Sequence, residues 1–270
     1  MNYSNSPLVS YTRLSPNHSG QRTHNIDRIT PHCVVGQATV ERLGEIFAQK
    51  SKQASCNYGI GKDGRIALIV EEKNRSWCSS SRENDQRAIT IEVASDSITP
   101  YAFRNEAYAA LVNLCVDICK RNGKNKLLWF ADKTKTLNYK PEADEMILSV
   151  HRWFANKSCP GPWMYSRMDD LADKVTAALS GEEIDTNPPK EIKDSVVLKK
   201  GDRGQEVQEM QKMLIACGYS CGSTGADGIF GINTFIALKN FQRAEGLTVD
   251  GIYGQASRTA LKKAYSNVHA

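Results

Sequence analysis

A polar segment with two adjacent prolines divides this chain of 270 residues at about two thirds of its length. The segment SGEEIDTNPPKEIKDS, Ser180–Ser195, carries many charges and almost no apolar side chain, which is typical of a linker. A chain of this length with 40% hydrophobic residues can form more than one core. The sequence therefore predicts a domain over residues 1–180, a linker over 181–195 and a second domain over 196–270.

Segments of strand composition recur through the first domain. RITPHCVV (Arg28–Val35) and AITIEVAS (Ala88–Ser95) are rich in β-branched residues, and YGIGKDGRIALIV (Tyr58–Val70) predicts two strands around a Lys-Asp-Gly turn. Helical patterns lie between and after these strands. The alternation predicts an α/β domain with a central mixed sheet flanked by helices.

Two helices of the first domain are predicted from apolar spacing. The segment EAYAALVNLCVDICK has its apolar residues on one helical face. A second helix is expected from Ser166 to Leu179, with Ser166 as the N-cap and Asp169 three residues later. The buried face of the first helix would consist of Leu111, Leu114, Cys115 and Ile118, and that of the second of Leu171, Val175 and Leu179.

A short internal repeat marks the second domain. DGIFGINTFIAL (Asp227–Leu238) and DGIYGQASRTAL (Asp250–Leu261) share a glycine-rich turn followed by a helix start, where a hydroxyl residue can cap or stabilise the first turn. With a preceding helix around EVQEMQKMLIACG, they predict a bundle of about three helices. So small a core favours binding rather than chemistry.

Charge and apolar patterning limit the classes of partner. The net charge of +5 is spread along the chain, so we expect no dedicated nucleic-acid surface. The first residues lack the apolar run of a secretory signal, and no later segment approaches a membrane span, so we expect synthesis in the cytoplasm and no membrane insertion. We also expect a monomer, with most of the eight cysteines reduced and buried.

The run HRWFANKSCPG carries the strongest chemical signal. A histidine borne on a strand, His151, and a cysteine at a Cys-Pro-Gly turn, Cys159, can converge on one zinc ion. His32, in the strand RITPHCVV, is the best candidate for a third ligand among five histidines. Three protein ligands leave one position open, as in hydrolytic zinc sites. Taken alone, these residues are weak evidence for a metal site, because such a histidine is more often a hydrogen-bonded core residue and such a cysteine is usually just buried.

Glu92 is a charge on an otherwise apolar strand. Alternation places it with Thr90 and Ala94 on the face opposite Ile89, Ile91 and Val93. Such a carboxylate is a candidate general base in amide hydrolysis. The alternative is an outward glutamate on the solvated face of an edge strand.

Four runs in the first domain, ITPHC, NYGIGKDGRI, AITIEVA and HRWFANKSCPG, occur in the order found in a known enzyme family. Over Ile29–Leu179 the chain resembles the N-acetylmuramoyl-L-alanine amidases that share a fold with peptidoglycan-recognition proteins and phage lysozyme-type amidases. The resemblance implies that His32, His151 and Cys159 bind one zinc ion per chain. Over Leu198–Ala264 the chain resembles the peptidoglycan-binding module of wall hydrolases.

The same resemblance implies roles for further residues. Glu92 would act as general base and then acid, and Lys157 would steady the oxyanion. Some relatives carry a functional tyrosine near the hairpin, but gap-free alignment places Cys56 there in this chain. We therefore expect Asn57 and Tyr58 only to line the cleft. Trp77 would offer a stacking surface in the groove or pack in the core.

The resemblance implies a zinc-dependent enzyme that hydrolyses the amide between N-acetylmuramic acid and L-alanine in bacterial peptidoglycan. Without a signal peptide, the expected setting is a phage or prophage endolysin that reaches the cell wall after release. Three alternatives stay open: a recognition protein that binds peptidoglycan without cutting it, a host wall-remodelling amidase, and a cysteine peptidase using Cys159 and His151.

Overall fold

The computed structural model describes residues 3–189 and 197–268 of the chain. The chain divides into two compact units, Met1–Pro188 and Pro189–Ala270, and each has its own hydrophobic core. The boundary falls inside the segment predicted as a linker. Residues 190–195 of that segment lie outside the described residues.

The first unit is built on a seven-stranded mixed sheet with the strand order β1-β5-β4-β7-β3-β9-β8. A separate antiparallel pair is formed by β2 and β6. The strands are β1 (Tyr11–Thr12), β2 (His18–Gln21), β3 (Arg28–Val35), β4 (Tyr58–Ile60), β5 (Ile66–Leu68), β6 (Asn74–Ser76), β7 (Ala88–Ser95), β8 (Lys126–Leu128) and β9 (Glu145–Leu148).

The two long predicted strands are confirmed with the predicted bounds as β3 and β7. They are parallel neighbours, and their register pairs His32 with Glu92. Because β7 lies between β4 and β3, Glu92 stands in the middle of the sheet and not on an edge strand. The predicted hairpin is confirmed as β4 and β5, joined through Gly64 with φ of +80°.

Helices cover both faces of this sheet. The predicted helix around Leu111 is confirmed as α3, which packs with α6 on the face that carries Ile89, Ile91 and Val93. The smaller α1 packs near β4 and β5. The helices of the first unit are α1 (Val40–Ala48), α2 (Arg82–Arg87), α3 (Asn105–Arg121), α4 (Lys133–Asn138), α5 (Gly161–Tyr165) and α6 (Met168–Ser180).

The predicted start of the last helix of the first unit, Ser166, is two residues too early. Helix α6 begins at Met168, and its N-cap position is Arg167 rather than Ser166. Ser166 instead ends the short helix α5, where its hydroxyl donates to the Trp163 carbonyl at 3.0 Å. Gly161 and Pro162 begin the short helix α5, as proline favours the first turn of a helix. Ser166 is the C-cap of α5, so α6 begins only after it.

The second unit contains three helices in its described part, as the repeat predicted: α7 (Gln205–Ala216), α8 (Ile232–Ala244) and α9 (Gln255–Val268). Two buried glutamines hold the repeated turns, and we call these arrangements the glutamine clasps. Gln211 donates to the Asp227 carboxylate, the Ile229 carbonyl and the Thr234 hydroxyl at 2.8–3.0 Å. Its amide oxygen accepts from the backbone N–H of Gly228 at 2.8 Å.

The second clasp repeats the first atom for atom. Gln242 donates to the Asp250 carboxylate, the Ile252 carbonyl and the Ser257 hydroxyl, and it accepts from the N–H of Gly251. A Cβ at Gly251 would lie 2.2 Å from the Phe235 ring, so glycine is required there. Thr234 and Ser257 are the hydroxyl residues at equivalent positions of the repeat, and each accepts a hydrogen bond from the glutamine of its clasp in the first turn of α8 or α9. The N-cap of α8 is Gly231.

Within residues 3–189 and 197–268, no helix combines the length and the apolar character needed to cross a bilayer.

Candidate metal centre

The three residues predicted as metal ligands come together in the first unit. One ligand atom from each of His32, His151 and Cys159 lies within 4.8 Å of the other two. His32 Nδ1 is 3.3 Å from Cys159 Sγ, and the two imidazole rings are 5.0 Å apart between centroids. In a tetrahedral site with metal–ligand bonds of about 2.0 and 2.3 Å, such donor atoms are about 3.5 Å apart. The spacing therefore fits one small metal ion.

Each ligand is positioned by a different element. His32 lies on the central strand β3 and is 1% exposed. His151 was predicted on a strand, but it follows β9 and begins a short 3-10 turn, His151–Trp153. The backbone N–H of Arg152 donates to the Cys159 carbonyl at 3.2 Å, which closes the loop between the last two ligands. The loop thereby brings a thiol back to the end of the sheet.

The electrostatic surroundings keep the imidazoles neutral, which is the form that binds metal. Burial and the nearby His151 hold the pKa of His32 well below its usual 6.5. Burial and the charge of Lys157 lower the pKa of His151. A hydrogen bond with Cys33 and burial raise the pKa of the Cys159 thiol, and a bound cation would reverse this shift because a coordinating thiol is deprotonated.

Two features of the histidines bear on metal binding. Nδ1 of His32 lies 3.3 Å from Cys159 Sγ, as for two donors to one ion, while Nε2 of the same ring is buried without a hydrogen-bond partner in the described residues. Nε2 of His151 shares a hydrogen bond of 3.0 Å with the Ser80 hydroxyl, which leaves Nδ1 free. An outer partner of this kind fixes the ring of a metal-binding histidine. Sequence analysis missed Ser80, because its contact joins residues 71 positions apart.

Glu92 lies beside this group, opposite His32 in the strand register. The Cys78 thiol donates to its Oε1 at 3.9 Å, while its Oε2 is buried without a partner in the described residues. Burial raises the pKa of Glu92 to about 7, against the opposing hydrogen bond of Cys78 and the charge of Lys52. This carboxyl can therefore exchange a proton near neutral pH. Cys78 was also missed, because its thiol is placed by the turn after β6.

Lys157 and Trp77 are close in sequence to residues of the site. Lys157 is exposed on the loop between His151 and Cys159, and its charge acts on His151. Trp77 precedes Cys78 and is partly exposed, with its indole N–H donating to the Ser19 hydroxyl at 2.6 Å. Both side chains therefore have surface that solvent can reach.

The expectation that Asn57 and Tyr58 line the cleft is not met, because both residues have no exposed surface. The Asn57 amide is occupied by Arg22 and by backbone groups, and the Tyr58 hydroxyl donates to Glu72 at 2.6 Å. Both side chains hold the interior together. Cys56 is fully buried as well, and burial raises the pKa of its thiol well above 9.0.

Comparison with known protein families gives two matches. Residues 22–162 match the family model described as N-acetylmuramoyl-L-alanine amidase, and residues 203–261 match a peptidoglycan binding domain. The first match contains all three members of the metal group and Glu92. The second contains both glutamine clasps.

The chain is also similar to individual known proteins. The chain is 28% identical to the N-acetylmuramoyl-L-alanine amidase CwlL of Bacillus licheniformis, over 81% of this chain and 59% of that protein. It is 41% identical to a spore cortex-lytic enzyme of Bacillus cereus over 25% of this chain and 26% of that enzyme. A solved structure of a mutant endolysin from Bacillus subtilis aligns at 14% identity, covering 62% of this chain and 99% of that one, with a TM-score of 0.41. The chain spans about three fifths of the length of the amidase relative.

Proposed function

Because the chain belongs to the N-acetylmuramoyl-L-alanine amidase family, we propose that it hydrolyses the amide between N-acetylmuramic acid and L-alanine in bacterial peptidoglycan. The observation that carries the proposal is the convergence of His32, His151 and Cys159 next to the carboxyl of Glu92. Three converging donors and a proton-exchanging group are the parts that amide hydrolysis requires.

The metal in this proposal is one zinc ion per chain, held by His32, His151 and Cys159. Two imidazoles and one thiolate form a donor set that suits zinc and leaves an open coordination position. When bound, zinc supplies Lewis-acid activation of water and of the amide carbonyl. Magnesium and calcium are disfavoured, since both prefer oxygen donors.

Glu92 is the proton carrier in this proposal. Its carboxylate accepts a proton from the attacking water and then delivers it to the departing nitrogen of L-alanine. The raised pKa of Glu92 supports both steps, because the group gains and loses a proton readily near pH 7. Its position at the middle of the sheet limits its movement during the reaction.

Lys157 is proposed to stabilise the negative charge that develops on the carbonyl oxygen. Its exposed ammonium lies on the metal-binding loop and is close enough to His151 to lower that pKa. Trp77 is proposed to contact the substrate through its exposed ring surface.

The second unit is proposed to hold the enzyme on its polymeric substrate. Its match to a peptidoglycan binding domain supports this role. A binding unit tethered to a catalytic unit raises the local concentration of cleavable bonds. The expected setting, an endolysin that acts at the cell wall, stays a prediction from the sequence.

A cysteine peptidase is the second candidate. The sequence predicted Cys159 and His151 as its pair, but the imidazole that lies 3.3 Å from the Cys159 thiol is that of His32. A nucleophilic cysteine needs a lowered pKa, whereas the hydrogen bond to Cys33 and burial raise the pKa of Cys159. A third donor, His151, also has no role in such a dyad. The geometry therefore favours the metal enzyme.

Chelation separates the candidate functions. Purified sacculi are incubated with the protein, with the protein after treatment with a zinc chelator, and with the treated protein after zinc is restored. The proposal predicts lysis, loss of lysis and recovery. A cysteine peptidase would keep its activity after chelation and lose it to a thiol-alkylating reagent, and a recognition protein would bind without lysis in every arm.

A further inference from the structure

Arg152 is a half-buried cation beside the metal group, and neither the metal site nor the proposed mechanism uses it. It follows His151 directly, and its backbone N–H bonds to the Cys159 carbonyl at 3.2 Å. The guanidinium lies over the Tyr165 ring, 4.2 Å from the centroid, and Nη2 donates to the Ser158 carbonyl at 2.7 Å. The side chain is therefore held in one orientation near the cleft.

The guanidinium has unused hydrogen-bonding capacity. Nε is buried and has no hydrogen-bond partner in the described part of the chain, and Nη1 makes no hydrogen bond there either. Burial lowers the pKa of Arg152, and the groups that oppose this are Tyr165, Cys159 and Cys33, none of them a carboxylate. Burial of an unpaired charge is costly unless an opposite charge arrives.

Arginines of the first unit differ in how they are paired. The most deeply buried ones, Arg22 and Arg28, bond to carbonyl and amide oxygens and form no ion pair within the described part of the chain, whereas two others are paired with acids. Arg87 bonds to Asp27, and Arg121 bonds to Glu72 at 2.6 Å and to Asp117 at 2.8 Å. Arg152 forms no ion pair with any acidic residue among residues 3–189 and 197–268. Unlike Arg22 and Arg28, Arg152 is partly exposed, so an acidic group from outside the chain can reach its guanidinium.

We infer that Arg152 binds a carboxylate of the peptidoglycan stem peptide, on the leaving-group side of the scissile amide. A planar guanidinium presents parallel N–H groups that match a carboxylate. The stem peptide carries carboxyl groups on the residues beyond alanine, whereas the neutral sugar offers none near the scissile bond. The inference rests on the proposed function, because it takes the amide beside the metal group as the bond that is cut.

A matched pair of substrates tests this inference. The first is N-acetylmuramoyl-L-alanyl-D-glutamyl-L-lysine with a free α-carboxyl on its second stem residue, and the second carries a primary amide at that carboxyl. The wild-type protein and Arg152→Gln are compared by kcat/KM on both substrates. The exposed Lys120, near the C-terminal end of α3, supplies the charge-matched control Lys120→Gln.

We expect the kcat/KM of the wild-type protein and of Lys120→Gln to be about tenfold higher on the acid than on the amide. This ratio corresponds to the free energy of one hydrogen-bonded charge pair, which the amide substrate cannot form. Arg152→Gln should lose about tenfold on the acid, mainly through KM, and change little on the amide, so that the preference disappears. Zinc content and melting temperature of the variant are measured alongside, and they should equal those of the wild-type protein.

Two outcomes would overturn the inference. A wild-type protein that cuts both substrates equally well has no carboxylate site at Arg152. An equal loss on both substrates, with reduced zinc content, would show that Arg152 only supports the loop and the Cys159 thiolate. Failure of the wild-type protein to release alanine-terminated peptides from either substrate would instead contradict the proposed function.

Discussion

His32 and Glu92 stand opposite each other on the two central parallel strands, β3 and β7. This register places a candidate metal ligand and a candidate base on the same face of the sheet, opposite the face that packs on α3 and α6. Glu92 and His32 are thereby fixed by the backbone hydrogen bonds of the sheet, whereas His151 and Cys159 lie on the turn and loop that follow β9.

Replacement of the thiol donor should remove both metal and activity. We expect Cys159→Ser to lose stoichiometric zinc and to lower wall lysis by more than about a hundredfold, since loss even of outer partners of a metal site costs about 10–100-fold. Metal content by mass spectrometry and turbidity of a sacculus suspension measure the two effects. Cys217→Ser, in the second unit, is the matched control and should retain both properties. Undiminished lysis in Cys159→Ser would refute the role of this ligand.

Replacement of Glu92 should separate catalysis from metal binding. Glu92→Gln keeps the size of the side chain but cannot accept a proton, so kcat should fall by about 10²–10⁴-fold. Zinc content should stay at one ion per chain. A variant that loses zinc, or one that keeps its kcat, would exclude Glu92 as the base.

The pH dependence of kcat/KM should report the ionisation of the same carboxyl. Burial raises the pKa of Glu92 to about 7, and a base acts only when it is deprotonated, so activity should rise with pH up to that region. A bound cation favours the carboxylate and moves the midpoint to lower pH. Initial rates on a soluble muropeptide at constant ionic strength measure the profile. Glu92→Gln should lack this rising limb in its residual activity, and a limb that persists would assign it to another group.

Stability of the metal-free protein should depend on the protonation of His32. Burial and His151 lower the pKa of His32 in the folded protein, so the unfolded chain binds more protons below a pH of about 6.5. This histidine therefore contributes stability above that pH and loses it as the pH falls. Glu92 shifts in the opposite sense, and the comparison is best made in a Glu92→Gln background. In this background, His32→Asn should reduce the drop in melting temperature that occurs as the pH falls below about 6.5. An unchanged drop would contradict the role of His32 in the loss of stability at low pH.

The glutamine clasps should determine the stability of the repeated turns. Gln242→Ala leaves the Gly251 N–H without its acceptor, at a cost of about 2 kcal/mol. Hydrogen exchange of that amide in the full chain should accelerate by about 30-fold. Gln205→Ala, at an exposed position of α7, should leave it unchanged. Equal exchange in both variants would show that the clasp does not hold the turn.

Local sequence patterns predicted much of this fold. The β-branched runs gave the bounds of β3 and β7, and the helical spacing of apolar residues gave α3, because these patterns record which side of an element is buried. The N-cap at Ser166 was wrong, since a cap signal does not reveal that a short helix ends at the same residue.

Side-chain surroundings were harder to predict than elements. Asn57 and Tyr58 were expected to line the cleft, yet both are fully buried. Their side chains form hydrogen bonds with Arg22 and Glu72 in the interior. The contacts of Ser80 with His151 and of Gln211 with the first repeated turn join distant parts of the chain. Such contacts depend on tertiary packing, which cannot be predicted from the spacing of apolar residues or from composition.

The products released from purified sacculi test the central claim most directly. After digestion with the zinc-loaded full-length protein, mass spectrometry should find intact stem peptides with a free alanine amino group, together with glycan strands that have lost their peptides. Reducing sugar ends or shortened stem peptides in place of these products would contradict the assignment of the cut to the bond between N-acetylmuramic acid and L-alanine.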